Sequence, residues 1–333
     1  MKAVVYTKYG SPDVLKLTEL PKPIPGDNEV LIKVHAAALN AADWHLLRAK
    51  PFLIRLMGMG LLKPKNKILG ADLAGQVEAI GRNVRQFKPG DEVFSDIFGS
   101  GSGSLAEYVC VQENILVSKP ARISFEAAAA VPLAGVTALQ GLRDKGRIQP
   151  GQRVLVNGAS GGVGTFAVQI AKSFGAEVTA VCSTGKIDMV RSLGADHVID
   201  YTREDFTKNG QSYDLIFAAN GFHPISDYKR ALSPKGTYVM AGGSMAQMFQ
   251  ALLLGPMISM TGSKQMYGVS AKANQKDLLF LKELLEAGKI VPVIDRRFPL
   301  SEVPDAFRYL EAGHAKGKVV IIMDHQEMKW PLE

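Results

Sequence analysis

The residues with the clearest capacity for chemistry are Asn157-Gly-Ala-Ser-Gly-Gly-Val-Gly164. They follow the apolar run Arg153–Asn157 and open a segment, Val163–Phe174, with apolar residues at helical spacing. A strand, a glycine turn and a helix in that order form a cradle for phosphate. The first N–H groups of the helix have no partner within it, and its dipole is positive there. Aligned on G-x-G-x-x-G, Ala159 takes the place of the first glycine, and Gly161 and Gly164 the other two. Gly161 lets the backbone approach a pyrophosphate, and Gly164 lets the helix pack on the strand. Ser160, Gly162 and Val163 complete the expected contact set. A plain strand-to-helix turn is the competing explanation; it accounts poorly for so many glycines.

The end of the next strand selects the nucleotide. NAD sites place Asp or Glu there, roughly 20 residues beyond the turn, to bond the ribose 2′-hydroxyl. Here the strand ends Val181-Cys-Ser-Thr-Gly-Lys186, and no carboxylate is expected in that corner. The hydroxyls of Ser183 and Thr184 and the ammonium of Lys186 suit a 2′-phosphate, which a carboxylate would repel. NADPH is therefore expected over NADH. Lys186 has a second reading as a solvated helix residue. Tyr201, at the end of the third strand, either covers the phosphate or simply packs.

These residues need a parallel sheet with helices on its faces. From Arg153 onward the runs RVLVN, AEVTAVC, DHVID, YDLIFAA and GTYVMAG alternate with helical segments at Val163–Phe174, Lys186–Leu193 and Pro224–Leu232. That alternation defines an α/β unit. Before it, KAVVY, EVLIKVHAAAL, GQVEAIG, DEVFSDI and AEYVCV are strand-like and punctuated by Gly and Pro. After it come VPVIDRRF, a helix over Val303–Ala312, and KVVIIM. The expected organisation is a mostly β domain over 1–122 completed by 290–333, with a nucleotide-binding domain over 123–289 inserted between them.

Composition agrees with a globular protein. The 333 residues are 47% hydrophobic and 21% charged, with a net charge of +7. The surplus suits an anionic ligand. The basic residues are scattered, so no specific nucleic-acid partner is expected. The two cysteines, Cys110 and Cys182, lie in strand-like runs and are expected to be reduced and packed. No N-terminal signal region or membrane-length apolar stretch is read, so a cytoplasmic location is expected.

Taken in order, ALNAADWHLLR (38–48), LGADLAGQVEAIGRNVRQFKPGDEV (69–93), VPLAGVTALQGL (131–142), NGASGGVGTFAVQIAK (157–172), SLGADHVIDY (192–201) and GHAKGKVVI (313–321) resemble the medium-chain dehydrogenase/reductase superfamily. The resemblance is to its zinc-independent quinone oxidoreductase branch; reticulon-interacting-protein-like reductases are a candidate subgroup. It implies a GroES-like catalytic domain beside a Rossmann domain, with the cofactor between them, and a homodimer. Zinc relatives carry an early catalytic Cys and a later Gly-His-Glu. This chain has His35-Ala-Ala-Ala-Leu39 and Gly70-Ala-Asp72 there, and Gly and Ser in place of a four-cysteine loop. No metal is expected. Without a Lewis acid the acceptor must already be activated, which points to a small apolar quinone or α,β-unsaturated carbonyl.

The resemblance also places residues around the nicotinamide. Asn40 either donates to a developing enolate or orders the ribose, with a helix cap over Asp43 as the alternative. Asp43 and Arg48 are expected to pair. Thr137 lies close to the ring or bonds back into its own helix. Asn220, Gly242 and Gly243 join the cofactor set, and Lys318 either reaches a phosphate or sits in a solvated turn beside Lys316. Tyr267 is the candidate proton donor, with solvent as the alternative. The Met- and Leu-rich stretch Ser244–Met260 reads as core or subunit interface, a greasy pocket wall or a membrane-surface contact. Competing activities are reduction of an enoyl thioester, and a non-catalytic NADPH-binding module with a redox-sensing or RNA-binding role.

Overall fold

The computed structural model describes residues 1–325 apart from 53–54, 56–59, 244–246, 248–249, 251–258 and 261. Of the stretch Ser244–Met260, only Gln247, Gln250, Ser259 and Met260 are described, so its expected role lies outside the described residues. The chain divides into two units. The first comprises Met1–Pro132, Arg296–His314 and the chain from Val319; the second comprises Leu133–Asp295 with Ala315–Lys318.

The first unit is built on a seven-stranded sheet and a two-stranded ribbon of β1 (Lys2–Val5) and β2 (Lys16–Glu19). Its spine is β3 (Glu29–Leu39). β3 pairs antiparallel with β4 (Asp72–Ile80), β6 (Tyr108–Gln112) and β15 (Lys318–Ile322). β5 (Glu92–Asp96) and β7 (Val117–Ser118) extend the sheet beyond β4, and β14 (Ile294–Pro299) lies beyond β15. Val30, Ile32, Val34 and Ala36–Ala38 on β3 are fully buried, so both faces of the spine are covered. α1 (Ala41–Arg48) follows β3 directly, and α2 (Phe125–Ala129) packs on β3 and β4.

The second unit carries a six-stranded parallel sheet in the order β10-β9-β8-β11-β12-β13. The strands are β8 (Arg153–Asn157), β9 (Glu177–Cys182), β10 (His197–Asp200), β11 (Tyr213–Ala218), β12 (Leu232–Met240) and β13 (Gln265–Gly268). Counted from β8 this is 3-2-1-4-5-6, the order of a Rossmann sheet. The helices are α3 (Pro132–Leu139), α4 (Gly162–Ser173), α5 (Ile187–Ser192), α6 (Ile225–Ala231) and α7 (Gln275–Glu286). α8 (Val303–Glu311) belongs to the first unit. The GroES-like and Rossmann architecture read from the sequence is the one found.

Three strands had no sequence signal, one of them β7 with only two residues. β2 and β13 are four residues each, and β13 ends in glycine, too short to show alternation. After α3 the chain also widens into a π-helical turn, Gln140–Lys145. There a Cβ on Gly141 would stand 2.4 Å from the Phe217 ring, so only glycine fits.

Candidate functional site

In the second unit β8 and β11 are neighbours, and the strand order reverses between them. Ligands bind open α/β sheets outside the carboxyl ends at such a switch point. The turn after β8 stands there. Gly158 has φ +80°, a left-handed conformation that favours glycine, and a Cβ on it would press on Asn220 at 2.8 Å. That explains Ala159 in the fingerprint: the tight bend falls one residue earlier, and the Ala159 methyl is fully buried. A Cβ on Gly164 would lie 2.1 Å from the Gly158 carbonyl oxygen, so the helix can pass the turn only with glycine there. A Cβ on Gly161 would meet nothing closer than 3.7 Å, leaving open space where a ligand can approach. Gly161, Gly162 and Val163 are partly exposed at the start of α4.

Lys318 reaches the same place. It is 2% exposed, and its Cδ lies 3.1 Å from where a Cβ on Gly162 would stand. The segment before it is stitched to the turn: Gly317 N–H donates to the Ser160 carbonyl at 3.0 Å. Lys318 is thus no residue of a solvated turn.

The Ala159 N–H donates to the Val181 carbonyl at 3.0 Å, which sets the turn beside the end of β9. Ser183, Thr184 and Lys186 follow, partly or fully exposed, and Lys186 Nζ donates to the Ala315 carbonyl at 3.4 Å. Tyr201 is 61% exposed, and its N–H donates to the Cys182 carbonyl. One expectation is corrected here. A carboxylate does stand in this corner: Asp200, the last residue of β10, pairs with Cys182 in register and accepts the Thr184 hydroxyl proton at 2.5 Å. Inspection along the second strand could not find it, because it arrives from the third. The Thr184 hydroxyl, with smaller contributions from Thr202, holds the Asp200 carboxyl below its usual range, so it is ionised at neutral pH. Burial and then Asp200 push the Cys182 thiol up, while Lys186 and Arg191 act in the other direction.

Other candidates in this unit are tied internally. The Thr137 hydroxyl donates to the Leu133 carbonyl of its own helix at 2.7 Å. A Cβ on Gly242 would lie 2.4 Å from the Ala219 carbonyl oxygen, and one on Gly243 (φ +133°) 2.9 Å from Gln247 Oε1. The turns after β11 and β12 therefore require these glycines whatever they bind. Asn220 is exposed beside Gly158. Tyr267, on the edge strand β13, donates its hydroxyl to Gln265 Oε1 at 3.2 Å.

Asn40 lies in the first unit and is 9% exposed. Its Nδ2 donates to Asp72 Oδ2 at 3.0 Å and to the Ala38 carbonyl at 3.3 Å. Both amide protons are committed, and the side chain also accepts from the Asp43 N–H in a capping box at the start of α1, the helix-cap alternative for Asn40. Asp43 accepts the Asn40 N–H at 2.8 Å and the Gly70 N–H at 3.1 Å. The expected Asp43–Arg48 pair is also corrected. Residues five apart on a helix point in different directions, and Arg48 instead forms a bidentate pair with Glu311 on α8, both bonds 2.7 Å.

Sequence reasoning missed a small pocket of about 50 Å³ in the first unit, partly open to solvent, lined by Tyr6, Tyr9, Asp43, Leu46, Gly70 and Phe98 among others. Tyr6 is 4% exposed. Burial first, then Tyr9 and Asp43, push its phenol far up, so it stays a neutral donor. Only the fold brings β1, α1 and the turn after β5 together here, which is why spacing gave no signal. His35 stacks on Phe125, with ring centroids 4.3 Å apart.

A Rossmann sheet with a phosphate-type turn, joined to a GroES-like β unit, defines the class of NAD(P)-dependent oxidoreductases. Residues 26–121 match the family described as alcohol dehydrogenase GroES-like domain, and 193–321 the family described as zinc-binding dehydrogenase. The chain belongs to the medium-chain dehydrogenase/reductase superfamily, in its quinone oxidoreductase branch. It is 36% identical to the chloroplastic quinone-oxidoreductase QR1 of Triphysaria versicolor over 96% of this chain and 98% of that one. It is 38% identical to the chloroplastic NADPH-dependent alkenal/one oxidoreductase of Arabidopsis thaliana, over 96% and 79%. The solved quinone oxidoreductase from Coxiella burnetii superposes with a TM-score of 0.85 at 31% identity, covering 97% of this chain and 99% of that one.

Proposed function

We propose that this chain is an NADPH-dependent, zinc-independent reductase that passes hydride to a quinone or an α,β-unsaturated carbonyl. The observation that carries the reading is Lys318 against Gly162. A buried lysine stem lies at the positive end of α4, and two positive features in one place favour an anion between them, the dinucleotide pyrophosphate. Ala159, Ser160, Gly161, Gly162, Val163 and Gly164 cradle it. Ser183, Thr184, Lys186 and Tyr201 surround the adenosine 2′ position. Thr137, Asn220, Gly242 and Gly243 border the nicotinamide half.

Bound dihydronicotinamide supplies the hydride. The protein's own work is to orient the acceptor, exclude water and furnish a proton. Tyr267 delivers the proton. Among the described residues, no group of three or more His, Cys, Asp or Glu is arranged to hold a metal. The relatives named for quinones and alkenals support the acceptor class.

No described helix is long and apolar enough to cross a membrane. Two free cysteines suit a reducing compartment such as the cytoplasm, although the relatives' names place those proteins in chloroplasts and mitochondria. A homodimer is part of the same reading and is checked by sedimentation.

The test is NADPH oxidation, followed by near-ultraviolet absorbance, against quinones, enals and enoyl thioesters. Turnover highest with quinones or enals is expected. Faster thioester turnover would reassign the acceptor, and tight NADPH binding without turnover would make the chain a binding module.

A further inference from the structure

The proposed cofactor corner contains a feature that opposes its own selectivity. Lys186 and Ser183 favour a 2′-phosphate, yet Asp200 stands in the same corner, in register with Cys182. Asp200 Oδ1 accepts from Thr202 Oγ1 at 2.8 Å and Thr202 N at 3.0 Å, and Oδ2 accepts the Thr184 hydroxyl at 2.5 Å. Arg203 Nε lies 3.8 Å from Oδ2. The carboxylate is thus held in place from three sides.

A hydroxyl has one proton to donate. Thr184 gives its proton to Asp200, so its oxygen can only accept from a ligand. A ribose 2′-hydroxyl meets that need: it donates to Thr184 Oγ1, which donates to Asp200. A 2′-phosphate, an acceptor with two negative charges at neutral pH, does not. It faces a lone pair and, behind it, a carboxylate, unless Thr184 turns away from Asp200 and loses that bond.

We propose that Asp200, acting through Thr184, determines nucleotide selectivity: the pair forms a 2′-hydroxyl relay that admits NADH and limits the preference for NADPH set by Lys186. Asp200 is a positioning residue in this arrangement, and Thr184 is the group that touches the nucleotide. The inference rests on the cofactor site proposed above.

The experiment compares Asp200→Asn and Thr184→Val in the full chain. It measures Kd for NADH and NADPH by nucleotide fluorescence and kcat/KM for both with one quinone. Both substitutions are expected to move the NADPH-to-NADH ratio upward by about tenfold, the scale of one lost charge-assisted hydrogen bond. Thr184→Val leaves the Asp200–Thr202 turn in place, so it gives the result even where Asp200→Asn folds poorly. A ratio that falls in Thr184→Val would show that this hydroxyl serves the phosphate, and would overturn the relay. An unchanged ratio with both nucleotides still bound would overturn the role of Asp200 alone. Failure of the unaltered protein to bind either nucleotide would overturn the cofactor site and the relay together.

Discussion

The Gly158 carbonyl oxygen lies 2.1 Å from the point a Cβ on Gly164 would occupy. The turn that faces the ligand and the helix that supports it touch through that one gap. Gly164→Ala must push backbone against backbone, with a cost of about 3 kcal/mol on the scale of overpacked cores. Gly161→Ala meets nothing closer than 3.7 Å and is expected to leave stability within about 0.5 kcal/mol. Its methyl instead occupies the approach to the pyrophosphate. Urea unfolding and NADPH titration should therefore separate the pair: the first variant loses stability, the second loses binding. Normal NADPH affinity in Gly161→Ala would remove the phosphate from this turn.

Lys318 and Lys186 are expected to act on different parts of the nucleotide. Lys318→Met keeps an apolar stem over Gly162 and removes the charge, so NADPH and NADH should weaken together, by about tenfold. Lys186→Ala should weaken NADPH by a similar factor and leave NADH unchanged. Calorimetric titration of both nucleotides checks this. Equal losses for the two nucleotides in Lys186→Ala would show that its ammonium does not reach a 2′-phosphate.

Tyr267→Phe removes the hydroxyl that now donates to Gln265. General acid catalysis contributes about 100-fold or more where a side chain supplies the proton. A fall in kcat of at least tenfold, with unchanged Kd for NADPH, is expected. A kcat within twofold of the unaltered enzyme would assign the proton to solvent.

Asp205 gives a pH-dependent contribution to stability. Burial alone raises its pKa, but the Thr207 hydroxyl and N–H, at 2.7 and 2.9 Å, and Lys208 outweigh this and hold it at about 2. The folded value lies below the unfolded one, so the stabilisation is fully present above the ordinary carboxylate range and declines as pH falls toward about 2. Its side chain is 33% exposed, and solvent screening reduces the contribution to about 1 kcal/mol. Asp205→Asn should cost that much at pH 7 and progressively less between pH 4 and pH 3, measured by thermal unfolding. A cost that does not shrink on acidification would show that the carboxylate's charge is not what stabilises this turn.

The parallel sheet and the phosphate turn were legible because both are written locally. A run such as EVLIKVHAAAL spans β3 end to end, and RVLVN spans β8, since each carries its own periodicity and is bounded by turn residues. β13 escaped because four residues ending in glycine carry no period, although parallel pairing beside β12 holds them as a strand.

The sequence by itself determined the alternation of strands and helices from β8 to β12, the glycines that let α4 pass its turn, and the basic and hydroxyl groups that follow β9. Those features depend on neighbours a few residues apart, where backbone geometry leaves little choice. Only the tertiary structure decided where the side-chain protons go: Thr184 to Asp200 across 16 positions, Asn40 to Asp72 across 32, and Arg48 to Glu311 across 263. A hydrogen bond or ion pair is selected by distance and burial in space, and separation along the chain carries no record of either.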